Sequence, residues 1–441
     1  MPRGPKGHFL LGSLPDLGRD ILGFFESCGR GGYGDLVAFR LAHRPAFFLN
    51  HPSLIEPVLV GNARNFIKHT FFWRHVSAIF GKGLLTSEGD FWLRQRRLAA
   101  PAFHRDRIAR YADVMVAYTD RMLDGWKAGE ERDIHHEMMR VTMQIVTRTL
   151  FNVEVGDETE RVGRAFDVAL EEIFVRLRRP FLIPDWVPIP SNNRYRRTVA
   201  ELDSLVYRII AERRRNEGDQ GDLLSMLLEV QDEDGTRMTD RQVRDETITL
   251  FLAGHETTAI TLSWTWLLLG QHPEAERRLH EEIDRVLNGR VPTAADYERL
   301  PFARNVITES MRLFPPAYAF GREALGECQI GGATIPKGAT LYASPWVMHR
   351  DPRWFDDPES FRPERWEGDF SKKLPRFAYF PFGGGPRICI GNGFAMMEAV
   401  LLLASIAQRF RLRLVPGQKI EPFASITLRP QPGIRVTLEA R

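Results

Sequence analysis

The stretch from Ile248 to Gly270 (ITLFLAGHETTAITLSWTWLLLG) limits the fold more than any other part of the chain. At helical rise it is long enough to cross a bilayer. Its middle, however, holds His255, Glu256 and three neighbouring hydroxyls, and a charge at the centre of a lipid layer is costly. A single long helix through the core of a globular protein explains the same pattern without that cost. Thr239 followed three residues later by Gln242 is a capping-box signal for its start, and His272-Pro273 marks its end before the next helix begins.

The rest of the chain suits such a core. It has 441 residues, 43% of them hydrophobic and 27% charged, which allows one to three domains and excludes disordered, collagenous and small disulfide-stapled classes. With 60 Lys+Arg against 57 Asp+Glu, the net charge of +3 gives no electrostatic case for nucleic acid or an anionic membrane as main partner. Three scattered cysteines, Cys28, Cys328 and Cys389, make neither a disulfide framework nor a four-thiolate metal site, and they suit a reducing compartment. The start, Met-Pro-Arg-Gly-Pro-Lys-Gly followed only by Phe9, Leu10 and Leu11, lacks the features of a signal peptide, so the expected location is cytoplasmic.

Two runs, Leu36 to Leu41 and Ala46 to Leu49, flank the turn residues His43 to Pro45 and predict a hairpin. From Phe91 to about Leu287 the pattern is helical, with Asp106–Trp126, Glu137–Phe151, Glu158–Leu177 and Asn193–Arg215 all apolar at three- and four-residue spacing. Beyond Pro315 glycine and proline recur, strands shorten (Thr340 to Ala343, Ile434 to Leu438), and one more helix is predicted from Gly393 to about Phe410. No internal repeat or inter-domain linker is evident.

The most unusual composition is Pro381-Phe-Gly-Gly-Gly-Pro-Arg-Ile-Cys-Ile-Gly391, a glycine-rich loop that ends in a cysteine and opens onto a helix. A phosphate-binding loop would end in Gly-Lys-Ser/Thr, and none follows. A thiolate loop fits better. Glycines let backbone N–H groups turn toward the Cys389 sulfur, and the helix N-terminus favours negative charge. Against this stands the ordinary role of a lone cysteine as a small buried hydrophobe.

The loop reproduces the signature Phe-x-x-Gly-x-x-x-Cys-x-Gly as Phe382, Gly385, Cys389 and Gly391. Glu309-x-x-Arg312, Ala253-Gly-His-Glu-Thr-Thr258 and Pro363-Glu-Arg-Trp366 accompany it in family order. On these motifs the chain resembles the cytochromes P450 over almost its whole length. The resemblance implies a mainly α, triangular helical fold with a small β-rich lobe. It would form one domain over 1–441, with β-rich parts near 30–70, 318–345 and 420–441 and a haem-binding helical region near 88–315 and 375–410.

It also implies roles. Cys389 would ligate the iron of haem b, thiolate ligation being the type that favours O–O cleavage. Phe382 and Gly391 would frame that ligand, its potential tuned by the loop's N–H groups. Thr249, Ala253 and Thr257 recur every four residues and share a helix face, which in the family passes over the haem. Gly254 would let the helix distort, and Glu256 with Thr257 would relay the two protons that splitting dioxygen needs in a largely dry pocket. A threonine bonded back to its own helix is the plainer alternative for Thr257. Zinc is set aside because Ala259 stands where a second histidine would be.

Glu309 and Arg312, on one helix face ended by Pro315-Pro316, would be joined by Arg365 in a buried network serving folding and not catalysis. Trp92, Arg96, Arg322 and Arg387 are candidates for the haem propionates. Arg94, Arg97, Arg105, Lys372, Lys373 and Arg376 could form a surface for an acidic electron donor or simply a solvated face. The adjacent His135, His136 and Glu137 are expected at the surface near a helix cap, since neighbouring helical residues point about 100° apart.

The expected function is insertion of one atom of O2 into a small apolar molecule, such as a fatty acid, terpenoid or steroid. Electrons would come from NAD(P)H through a separate ferredoxin or flavodoxin and its reductase, since the stretch after Cys389 is too short for a reductase domain. No membrane anchor and a monomeric state are expected. A peroxide-driven peroxygenase or a non-enzymatic haem sensor or carrier are the rival functions; retention of Glu256 and Thr257 counts against both. Phe71, Phe72, Thr249, Ala253, Ala317, Tyr318, Ser425 and Ile426 are expected to line an apolar substrate pocket.

Overall fold

The computed structural model describes residues 2–68, 70, 73, 76–77, 80–152, 168, 186–215, 222–229, 235 and 237–441. They fall into two compact units. One combines the chain up to Phe71 with Asn305–Cys389 and Glu421–Gln431; the other combines Phe72–Arg304 with Ile390–Ile420 and Pro432–Arg441. The predicted helix at Glu158–Leu177 lies outside the described residues, as do the pocket candidates Phe71 and Phe72.

The first unit is built on a five-stranded sheet. Across it the strands run Leu36–Leu41, Arg44–Leu49, Thr340–Ala343, Phe320–Ala324 and Phe66–Ile67. The predicted hairpin is present, in register from Leu36 opposite Leu49 to Leu41 opposite Arg44, and its turn places Ala42 at positive φ. Arg44–Leu49 then pairs in parallel with Thr340–Ala343. Successive side chains of a strand face opposite ways, so Phe47 and Leu49 join one core with Leu59, Leu341 and Phe380, while Ala46 and Phe48 join another with Phe25, Tyr318 and Trp346. A sheet covered on both faces explains why this strand reads as a continuous apolar run. The helix Pro301–Leu313 ends where Pro315-Pro316 requires.

The second unit is organised by one helix, Asp240–Gln271, with Thr239 as its N-cap. The Thr239 N–H donates to Gln242 Oε1 (2.7 Å) and the Gln242 N–H to Thr239 Oγ1 (3.3 Å), which is the anticipated capping box. The helix Pro273–Leu287 follows directly. The Thr142 hydroxyl of the helix Ile134–Phe151 donates to the His255 carbonyl (3.0 Å), and the Arg244 guanidinium bonds Asp203 of the helix Pro190–Arg215. The long helix is continuous through Gly254. A Cβ there would sit 3.0 Å from Val146 Cγ2, so the glycine serves close helix packing.

Residues Glu131–Asp133, placed by sequence pattern in the helical region, instead form the edge of a three-stranded sheet with Arg435–Ala440 and Phe410–Leu414. Three residues are too few to display a period of two. Asp133 then caps the next helix, accepting the His135 N–H at 2.9 Å. Of the three residues expected at the surface here, only His136 is exposed. The His135 ring lies 3.0 Å from the Ser263 hydroxyl, and Glu137 is buried among Arg132, Arg140 and Trp126. Among the described residues no helix is long and apolar enough to cross a membrane.

Candidate active site

The candidate residues are distributed over both units. In the sheet-bearing unit, Cys389 lies exposed at the end of the glycine-rich loop. Three backbone bonds fix that loop: Gly383 N–H to the Phe380 carbonyl (2.9 Å), Ile388 N–H to Gly385 (3.1 Å) and Cys389 N–H to Phe382 (3.0 Å). Two of its glycines are obligatory. Gly385 has φ +67°, and a Cβ on it would fall 1.8 Å from the Leu59 carbonyl oxygen; one on Gly384 would fall 2.2 Å from the Phe377 ring. The position of the sulfur therefore depends on the backbone geometry at Gly385 and on the space beside the Phe377 ring at Gly384.

Behind the loop, Glu309 and Arg312 are wholly buried. Arg312 holds the carboxylate by two bonds, of 2.9 and 2.8 Å, and Arg365 Nε (2.9 Å) and Trp366 Nε1 (2.8 Å) complete it. The remaining guanidinium donors reach the carbonyls of His349, Pro358 and Ser360. The pair is thus closed by further hydrogen bonds, the condition for a buried ion pair to be tolerated. Arg322 is also buried and donates to the Gly321 carbonyl (2.8 Å), while Arg387 is half-buried. Ala317 and Ile426 are half-buried. Tyr318 is a core residue, not an open wall: it packs with Phe24, Phe48 and Trp346, and its hydroxyl donates to the Ser425 carbonyl at 2.6 Å.

In the helical unit the decisive feature is exposure along the long helix. From Val243 to Leu269 every residue is buried except Ala253, Gly254 and Thr257. Ala253 and Thr257 are one turn apart, and the Thr257 hydroxyl donates to the Ala253 carbonyl (2.8 Å), the back-bonded arrangement weighed from the sequence. Glu256 beside it is buried. Thr249, on the same face, is covered: a Cβ on Gly83 would lie 2.2 Å from its hydroxyl. Trp92 is buried, with the Arg96 guanidinium 5.9 Å from its ring centre. Gly391 precedes the helix Asn392–Arg409 and takes the Ala395 N–H on its carbonyl (2.8 Å). Of the six arginines and lysines considered for a donor surface, Arg94 is half-buried and Arg97, Arg105, Lys372, Lys373 and Arg376 are exposed, with Arg105, Lys372 and Arg376 each paired with an acidic neighbour.

Three acidic residues here escaped the sequence reading. Backbone N–H groups of Lys82 and Leu84 donate to Asp245 (2.8 Å) and Glu246 (3.0 Å). Burial, opposed by the Leu84 bond and reinforced by Asp245, pushes the Glu246 carboxyl up to about 8. Burial likewise raises Glu398 well above the carboxylate range, opposed by the nearby Thr258 hydroxyl. A lone acid within the apolar run after Gly393 was the available signal for Glu398; the Gly-Lys-Gly at 81–83 was a weaker one for the other two.

A family model described as "Cytochrome P450" matches residues 2–438. The chain is 39% identical to cyclooctatin synthase of Streptomyces melanosporofaciens over 99% of this chain and 95% of that protein. It is 40% identical to cyclooctat-9-en-7-ol 5-monooxygenase of the same organism, over 92% of this chain and 88% of the other. With pentalenene oxygenase of Streptomyces avermitilis the identity is 37%, over 93% and 91%. The chain belongs to the cytochrome P450 family and is a monooxygenase of that family, with its mainly helical fold and small β-sheets. The family uses haem and dioxygen. The residues present fit that group: an accessible sulfur on a glycine-constrained loop, and an alanine-glycine-threonine patch that alone is open along a buried helix.

Proposed function

We propose that this chain hydroxylates a terpenoid, using Cys389 as the haem ligand and Glu256 with Thr257 as its proton relay. The exposed Cys389 held by Gly384 and Gly385 is the observation that carries the haem-thiolate part. The terpenoid class is supported by the oxygenases named above, which resemble the chain over most of its length. When bound, the haem would supply the activation of dioxygen, and the Cys389 sulfur would donate electron density to it.

Each residue contributes a definable step. The loop holds the sulfur where the helix Asn392–Arg409 begins, and that N-terminus stabilises negative charge. Arg96 and Arg387, with Trp92 and Arg322, would be the donors to the haem propionates. Ala253 gives a small apolar surface that admits a ligand close to the helix backbone. The Thr257 hydroxyl can release the Ala253 carbonyl and pass a proton, with the buried Glu256 resupplying it. Glu309, Arg312 and Arg365 keep the loop's support in place. Electrons come from NAD(P)H through a ferredoxin or flavodoxin and its reductase, to a monomeric, cytoplasmic enzyme forming one domain.

The test is a binding titration that follows the haem Soret band for a low- to high-spin shift. A panel of cyclic terpene hydrocarbons and alcohols is set against fatty acids and steroids, with product analysis in a ferredoxin-driven assay. Terpenoids should give the shift and a hydroxylated product. A shift and product only with fatty acids would overturn the substrate class, and turnover only with peroxide would overturn the monooxygenase route.

A further inference from the structure

His349 sits at the end of the short helix Pro345–Met348 with none of its surface exposed. Its backbone carbonyl takes a hydrogen bond from Arg312 Nη1 (2.9 Å), and its ring nitrogen Nε2 accepts the Phe380 backbone N–H (2.9 Å). The ring lies against Tyr379, centres 4.9 Å apart, and edge-on to Phe380 at 5.4 Å. One residue therefore touches both the Glu309–Arg312 network and the start of the cysteine loop. From Phe380 the bonding continues inward: its carbonyl accepts the Gly383 N–H, and the Phe382 carbonyl accepts the Cys389 N–H.

The chemistry of this link is selective. A nitrogen that accepts a backbone N–H must be unprotonated, so the imidazole must be neutral, its proton on Nδ1. A protonated ring would set an N–H against the Phe380 N–H. The surroundings enforce neutrality. Burial first, then the Arg312 and Arg350 guanidinium groups, holds the imidazole well below its ordinary range. Tyr379, the other titratable group against the ring, stays protonated because burial raises it well above the phenol range. A leucine would fill the space but leave a buried N–H unmatched.

We propose that His349 is a positioning residue for the reaction: its neutral ring couples the Glu309–Arg312–Arg365 network to the Phe380–Cys389 loop and so holds the sulfur ready to ligate. This rests on the reading of Cys389 as haem ligand. It separates two tasks that a simple packing role would merge, filling the space beside Tyr379 and accepting the Phe380 N–H.

Two substitutions in the haem-loaded, full-length protein pull these tasks apart. His349→Phe keeps a ring against Tyr379 and removes the acceptor; His349→Gln removes the ring and keeps an acceptor oxygen that cannot be protonated near neutral pH. The readouts are haem content per chain and the reduced carbon monoxide spectrum, recorded as pH is lowered, which separates the long-wavelength Soret band of a thiolate ligand from the shorter-wavelength band given when the thiolate is lost. The Phe variant should shift the ratio of the two bands toward the shorter wavelength by roughly 10- to 100-fold. The Gln variant should keep the thiolate band and lose the decline that the unchanged protein shows once the pH is low enough to protonate the buried ring, well below the ordinary imidazole range. If the Phe variant keeps the thiolate band with normal haem content, or both variants lose it alike, the inference is overturned. If the Phe variant takes up no haem, the Gln variant decides: a decline with acid like that of the unchanged protein overturns it, and its absence supports it. Lack of a thiolate band in the unchanged protein would instead overturn the Cys389 reading itself.

Discussion

The loop carrying Cys389 and the helix carrying Glu256 and Thr257 bury their polar groups in opposite ways. Behind the loop, Glu309 accepts from Arg312, Arg365, Trp366 and the Arg362 N–H, and Arg312 uses its donors on that carboxylate and on three carbonyls. Along the helix, Glu246 Oε1 and the hydroxyls of Thr247 and Thr249 are buried without a hydrogen-bond partner among the described residues. A fully bonded charge has one stable arrangement and fixes its surroundings; an incompletely bonded carboxyl in an apolar setting stays protonated and can change state. The contrast extends to pH. His349 beside the loop is held below its ordinary range, so the stability it contributes is lost as pH falls below about 6.5. Glu246 is held above its ordinary range, so the stability it contributes is lost as pH rises.

The largest break in this comparison comes from deleting a carboxylate in each region. Glu309→Ala leaves Arg312 and Arg365 buried without their counter-charge, at a cost of about 3–5 kcal/mol. The expected result is little or no haem-loaded protein, measured as haem per chain after purification. Glu398→Gln in the helical unit should leave folding and haem content intact, since the carboxyl it replaces is already held neutral by burial. Equal losses from the two substitutions would show that the regions do not differ in the manner argued.

Next in size is Gly385→Ala. Its Cβ would meet the Leu59 carbonyl oxygen at 1.8 Å, from a backbone at φ +67°, so the loop must shift. A loss of about 3 kcal/mol is expected, with weakened haem retention on gel filtration. Gly254→Ala on the helix brings its Cβ to 3.0 Å from Val146 Cγ2, a lesser encroachment than 1.8 Å on a backbone oxygen and one without positive φ, so its penalty in a thermal melt should be smaller. If the two melted alike, the loop would not be the rigid member of the pair.

What the sequence revealed divides along the same line. The cysteine loop, the helix with its capping box and the Glu309–Arg312 pair are local, each written within a short window, so their residue types and spacing are sufficient. Contacts across long separations were not legible from residue types and spacing; the link from Arg365 to Glu309 came only with the family resemblance. Nothing near Glu246 announces that its partner is the Leu84 N–H, 162 residues away, and nothing near His349 points to Phe380. Tyr318 illustrates the converse error. Its position suggested a pocket, but which way a side chain points out of an irregular segment depends on the sheet beneath it, and here it points into the Phe48 and Trp346 core.

A smaller effect tests the alkaline side. Glu246→Gln keeps an oxygen for the Leu84 N–H and removes the titration. Because the folded carboxyl is raised from 4.5 to about 8, the unfolded chain loses its proton first as pH rises, and stability should fall across that window by up to about 1.4 kcal/mol per pH unit. Denaturant midpoints from pH 5 to 8 should flatten in the Gln variant relative to the unchanged protein. An unaltered slope would mean that Glu246 is ionised in the fold.

The smallest structural effect should accompany a large functional one. The Thr257 hydroxyl lies in the accessible patch of the long helix and bonds only back to the Ala253 carbonyl, a group that the helix ladder already serves. Thr257→Ala should therefore change the melting midpoint by no more than about 0.5 kcal/mol equivalent, since substitutions away from buried features stay in that range. If the hydroxyl moves protons, the same variant consumes reduced cofactor at an ordinary rate and yields less hydroxylated product per electron pair, the balance leaving as peroxide or water. Product per cofactor consumed separates this from a packing role, which would lower both together. Unchanged coupling would remove Thr257 from the relay and leave Glu256 without the alcohol through which it is argued to act.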